Sequence, residues 1–141
     1  MSVRVFRIDN EEVIVKLKSW AESLSHNKDV FGIILFGSLA KKEATPASDA
    51  DIVILLKDSM ERFNDRIPHF IPGKIGISVD VFPYTIEEFH SSLEENWGVA
   101  KEALENGILL YGINASDRTN LCEWFSTLIE ENPNDSQGFL E

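Results

Sequence analysis

The residues best suited to chemistry lie between Phe36 and Ile52. An apolar run ends at Gly37, the hydroxyl residue Ser38 follows, and a short helix is expected just beyond. Glycine lets a ligand approach the backbone closely, and the unpaired N–H groups at a helix start favour an anion such as phosphate. Asp49 and Asp51 stand two apart at the entrance of a second apolar run, so strand alternation directs both carboxylates to one face. Two carboxylates held together resist joint ionisation unless a cation lies between them. An oxygen-only set of this kind suits Mg2+. Asp80 interrupts a third apolar stretch, on the face opposite Ile77, Val79 and Val81, where a core strand should stay apolar. Taken singly, these features also describe a turn, a cap or an edge residue facing water. Their conjunction is what points to a metal-assisted phosphate site.

Other site types are excluded. Val53 occupies the place of the third ligand in an EF-hand that would start at Asp49. There is no Walker A loop and no Gly-x-Ser-x-Gly elbow. His26, His69 and His90 lack metal-ligand spacing, and Cys122 falls between apolar helix positions, where an inert core thiol is expected.

These residues need elements to position them. A helix is expected after Asp9, with Glu12 completing a capping box, Ile8 and Val13 as its staple, and Val13, Leu17, Trp20, Ala21 and Leu24 on one stripe. Residues 30–36 and 52–56 are short apolar runs that predict central strands buried on both faces. Between them, residues 41–44 continue a short helix. Residues 59–66 predict a helix, and the alternation from Ile75 to Phe82 predicts a third strand. Thr85 and Glu88 form a second capping box, stapled by Tyr84 and Phe89. Ala100, Ala103 and Leu104 mark another helix that Asn106-Gly107 closes, before a fourth strand at residues 108–111. Leu121, Trp124, Phe125, Leu128 and Ile129 form the stripe of a last helix. The expected fold is a small α/β (α+β) domain, a mixed sheet of about four strands flanked by helices.

Composition limits the partners. The 141 residues, 43% of them hydrophobic, suffice for one domain with a real core, and no apolar run approaches the length of a membrane span. No signal peptide is visible, and the single cysteine cannot form an internal disulfide, so a cytoplasmic protein is expected. The net charge of −11 is unevenly placed: residues 84–141 hold twelve acids and two bases, Lys101 and Arg118. Phosphate-backbone binding needs clustered Lys and Arg, so general nucleic-acid binding is disfavoured and a basic protein partner fits better.

The segment GSLAKKEATPASDADIVIL resembles the signature of the minimal nucleotidyltransferases, within the DNA polymerase β-like superfamily. That signature is Gly-Ser, a short helix, then Ser-Asp-x-Asp leading a hydrophobic strand, with a third carboxylate on a later strand. Gly37, Ser38, Ala40, Glu43, Ala44, Pro46, Ser48, Asp49, Asp51 and Ile52 match it, Asp80 is placed like the third carboxylate, and Glu105 to Tyr111 resembles the closing strand. The resemblance covers residues 10–112 and implies the nucleotidyltransferase fold, with a domain over residues 1–112. Residues 113–141 would then be a C-terminal amphipathic helix and acidic tail packed on it. Leu39, Lys41 and Lys42 stand where the family often has Arg and Arg-Gly, leaving Lys41 and Lys42 as the charges placed for phosphate.

The activity this resemblance implies is Mg-dependent transfer of a nucleoside monophosphate, AMP from ATP, to an acceptor hydroxyl. Asp49, Asp51 and Asp80 would hold two Mg2+, while Gly37, Ser38, Lys41, Lys42 and Ser48 would bind the nucleotide. Few residues remain to recognise a small acceptor, so a macromolecular one is expected. The family's recurrent pairing with a HEPN-type toxin makes an antitoxin role the natural form of that expectation, with a basic, helical protein as partner. The alternative is a non-catalytic module that neutralises a partner by covering it.

Overall fold

The computed structural model describes residues 10–37, 40, 50–73, 75, 77–95, 98–115 and 120–131. Helix α1 (Asn10–Leu24) leads into strand β1 (Val30–Phe36), followed by β2 (Ala50–Leu56) and a single helical turn, α2 (Phe63–Arg66), with a 3-10 turn at Ile67–His69. Then come β3 (Val79–Thr85), α3 (Ile86–Glu94), α4 (Gly98–Asn106), β4 (Ile108–Gly112) and α5 (Leu121–Glu131). The strands form one mixed sheet of order β3-β2-β1-β4, in which β1 runs antiparallel to β2 and β4, and β2 runs parallel to β3. Among the described residues no helix is long and apolar enough to cross a membrane.

The two apolar runs become the central strands because each has both faces to bury. Ile33, Leu35, Ile52 and Ile54 pack against Val13, Leu17 and Ala21 of α1, while Ile34, Phe36, Val53 and Leu55 pack under α3, α4 and α5. Each such side chain, withdrawn from water, contributes about 1.5–3 kcal/mol. The second capping box forms as expected: the Glu88 N–H donates to Thr85 Oγ1 at 3.1 Å, the Thr85 N–H donates to Glu88 Oε1 at 2.9 Å, and the Tyr84 and Phe89 rings meet at 5.9 Å. The first capping box, its Ile8 staple and the helix expected over residues 41–44 fall outside the described residues.

Four local expectations are corrected. The helix over 59–66 shrinks to Phe63–Arg66. Strand β3 starts at Val79 rather than Ile75, because its partner β2 begins at Ala50, whose Cα register partner is Val79. The alternation upstream reflects Ile75 and Ile77 packing onto the core without a ladder. Gly107 receives no left-handed backbone, since Gly37 is the only described glycine with positive φ. It is needed for space instead: a Cβ there would lie 2.3 Å from the Ala103 carbonyl oxygen and 2.6 Å from Ile34 Cγ2. Finally, Cys122 is exposed, because it sits beside the stripe of Trp124, Phe125 and Leu128 rather than on it.

Candidate active site

Three of the singled-out residues meet at one end of the sheet. Phe36, the last residue of β1, is the register partner of Asp51, and Asp51 is the register partner of Asp80 on the parallel strand β3. Register partners project to one face, with adjoining strands about 4.8 Å apart. Phe36, Asp51 and Asp80 therefore stand in a row across three strands. The next row inward is Ile34, Val53 and Phe82, and the Phe36 and Phe82 rings touch at a centroid distance of 5.6 Å. The two carboxylates thus stand at the edge of an apolar floor. Phe82 was not foreseen as part of this arrangement, although its place two residues after Asp80 on an alternating strand is the signal that would have found it.

Gly37 turns the chain at this end. Its φ is +85°, in the region that side-chain-bearing residues rarely adopt, and a Cβ on it would lie 2.5 Å from Asp51 Oδ2. The glycine leaves room for the Asp51 carboxylate as well as for the turn. Asp80 is exposed, which favours the edge position over the core face among the readings left open for it: β3 is the outermost strand, and Asp80 lies near its open start. Ser38, Lys41, Lys42, Ser48 and Asp49 lie outside the described residues.

Strand β3 is held at its other end by a charge pair between buried Arg66 and half-buried Glu88, which the residue pattern alone did not pair. Arg66, 4% exposed, donates to the Glu61 carbonyl at 3.0 Å and the Pro83 carbonyl at 2.9 Å, and bidentately to Glu88 at 2.6 and 3.0 Å. The Glu88 hydrogen bonds raise the Arg66 pKa against the opposing cost of burial. Burial alone would raise the Glu88 carboxyl, but the Arg66 hydrogen bonds, the Thr85 N–H and the Arg66 charge outweigh it and hold Glu88 below its ordinary value. Pro83 fits here because an edge strand can spare an N–H.

The donor chemistry fits a hard divalent cation. Asp51 and Asp80 offer oxygen ligands from adjoining strands beside a backbone turn kept open by Gly37. At that spacing two negative charges oppose each other by about 1–3 kcal/mol, which a bound cation would relieve. Among the described residues no group of three or more His, Cys, Asp or Glu side chains is placed to hold a metal ion, and Asp49 is not among them.

A family model described as nucleotidyltransferase domain matches residues 17–110. No curated protein matches the chain. Among solved structures, a candidate nucleotidyltransferase of Sulfolobus solfataricus is 17% identical with a TM-score of 0.49, covering 76% of this chain and 90% of its own. A toxin–antitoxin structure with AMP-PNP is 14% identical with a TM-score of 0.48, covering 88% of this chain and 98% of its own. A mutant of the toxin–antitoxin pair MntA-HpeT is 14% identical with a TM-score of 0.46, covering 91% and 98%.

Proposed function

We propose that this chain, which belongs to the nucleotidyltransferase domain family, transfers AMP from ATP to a hydroxyl of a macromolecular acceptor. The observation that carries the reading is the side-by-side register of Asp51 and Asp80 next to Gly37, inside the matched residues. Asp49, Asp51 and Asp80 are the residues that would hold divalent metal. When bound, Mg2+ neutralises the triphosphate and acidifies a coordinated hydroxyl. Ser38, Ser48 and the N–H groups following Gly37 bind the phosphates, with Lys41 and Lys42 supplying positive charge. The acceptor oxygen attacks the α-phosphorus, the bond from that phosphorus to the β-phosphate oxygen breaks, and pyrophosphate leaves. Asp80, at the open edge of the site, takes the hydroxyl proton. The chemistry rests on positioning and charge, with no covalent protein intermediate.

The acceptor in this proposal is a basic, helical protein of the HEPN-type toxin class. Its support is the acidic balance of residues 84–141 and the family pairing named above. Glu123, Glu130 and Glu131 lie exposed on α5, whose Trp124 and Phe125 pack inward. Trp124 lies against Gly32, about 13 Å along β1 from Phe36, so a partner held by α5 must reach along the sheet to meet Asp80.

Substitution of Asp80 tests the reading. With α-labelled ATP and host protein extract as the acceptor source, the parent chain should label a protein. Asp80→Asn should bind ATP within about threefold of the parent and lose at least about a hundredfold in labelling, as for loss of a general base. Equal labelling by both would remove Asp80 from the mechanism.

A further inference from the structure

The face of β3 that carries Asp80 extends one position further outward, to Ser78. The Ala50 N–H donates to the Ser78 carbonyl at 2.7 Å, the bond that opens the parallel ladder between β2 and β3. Ile77, Val79 and Val81 pack into the core on the α1 side of the sheet, whereas Phe82 and Tyr84 pack on the other side. Ser78 therefore shares its face with Asp80 and Phe82. Both Ser78 and Asp80 are exposed, and no hydrogen bond among the described residues holds the Ser78 hydroxyl.

Residues two apart on a strand lie about 7 Å apart. A serine hydroxyl and an aspartate carboxylate extended toward each other across that gap come within hydrogen-bond reach, about 2.6–3.2 Å. Tyr84, on the same face, is about 13 Å from Asp80 along the strand. It is half-buried, and its ring meets those of Phe63 and Phe89 at 5.1 and 5.9 Å. Among the described residues of this face, Ser78 is thus the exposed hydroxyl beside the carboxylate assigned the proton. A primary hydroxyl next to a general base is placed as a nucleophile, and carrying both on one strand gives the advantage of an intramolecular reaction.

We propose that Ser78 is an internal acceptor, so that a chain without its partner transfers AMP to itself; this rests on the nucleotidyl transfer proposed above. Ser78 Oγ attacks the α-phosphorus of ATP, the bond from that phosphorus to the β-phosphate oxygen breaks, and pyrophosphate leaves. Asp80 takes the hydroxyl proton. The product is a phosphodiester whose negative charge stands about 7 Å along the strand from Asp80 and whose adenosine covers the approach to it. The modified chain is thereby closed to a second triphosphate, which carries the same sign of charge. A partner that seats its own hydroxyl at Asp80 displaces Ser78 from the base, so self-modification is confined to the unpartnered chain.

Intact-mass spectra of the full chain after incubation with ATP and Mg2+ test this. A gain of one AMP, placed on Ser78 by peptide fragmentation, is expected in the parent and in Ser78→Thr, and none in Ser78→Ala or Asp80→Asn. Its rate constant should stay the same over an about tenfold range of protein concentration, as for a step within one chain. Calorimetry gives a readout apart from transfer. Ser78→Ala should bind ATP within about twofold of the parent, and Ser78→Glu, which puts a negative charge at the same point, at least about tenfold more weakly. Urea unfolding checks that each variant is folded. Modification at another residue, a rate that rises with protein concentration, or Ser78→Glu binding ATP as tightly as the parent would overturn the proposal. So would a parent that binds ATP and labels host protein but never itself, a result that leaves the transfer reading standing. A parent that binds no ATP in Mg2+ would overturn both.

Discussion

Gly37 is the residue on which the geometry of the candidate site turns. Alanine at 37 would have to hold φ near +85° and bring a methyl to 2.5 Å from Asp51 Oδ2. Either the turn or the carboxylate must move. Gly37→Ala should therefore cost about 1–2 kcal/mol in urea unfolding and at least tenfold in ATP affinity by calorimetry. A variant as tight as the parent would show that Asp51 does not need its present position. The types and spacing of Gly37, Asp51 and Asp80 were legible in the chain. That Asp51 and Asp80 are direct neighbours was not, because alternation gives the face of a residue but not the strand beside it. The edge location of Asp80 stayed one of two readings for the same reason.

At the scale of elements, the strongest local signals were those complete within a few residues. The Thr85–Glu88 box and the two apolar runs became α3, β1 and β2 with little change. The start of β3 depended on a long-range partner, Ala50 of β2. The Arg66–Glu88 pair joins α2, β3 and α3, and its pH dependence follows from the Glu88 shift. A carboxyl held below its unfolded value, about 4.5, contributes stability fully present above that pH and lost as pH falls through the lower folded value. Glu88→Gln should be less stable than the parent by about 1–2 kcal/mol at pH 7. In urea unfolding repeated at about pH 3, the gap should shrink as the parent carboxyl protonates. A gap that stays constant with pH would mean that the Glu88 charge is not what clamps β3.

Over the whole molecule, three layers divide the work: α1 and the helices α3, α4 and α5 cover opposite faces of one sheet, and the carboxylates stand at its end. The acidic excess of residues 84–141 has no evident use in binding a triphosphate, which carries the same sign. If α5 receives the basic partner, Glu130→Lys with Glu131→Lys should slow its capture at least tenfold at low salt and leave ATP affinity unchanged. The difference should fade as the screening length falls from about 10 Å at 0.1 M to about 3 Å at 1 M salt. Capture that ignores both salt and charge reversal would leave the acidity as solvation of the surface. The central claim, a metal-dependent nucleotide site at the paired aspartates, is tested most directly by calorimetry of the full chain with ATP. It predicts saturable binding in Mg2+ that weakens at least tenfold in EDTA and in Asp51→Ala. Equal affinity with and without metal, or in the Asp51 variant, would contradict it.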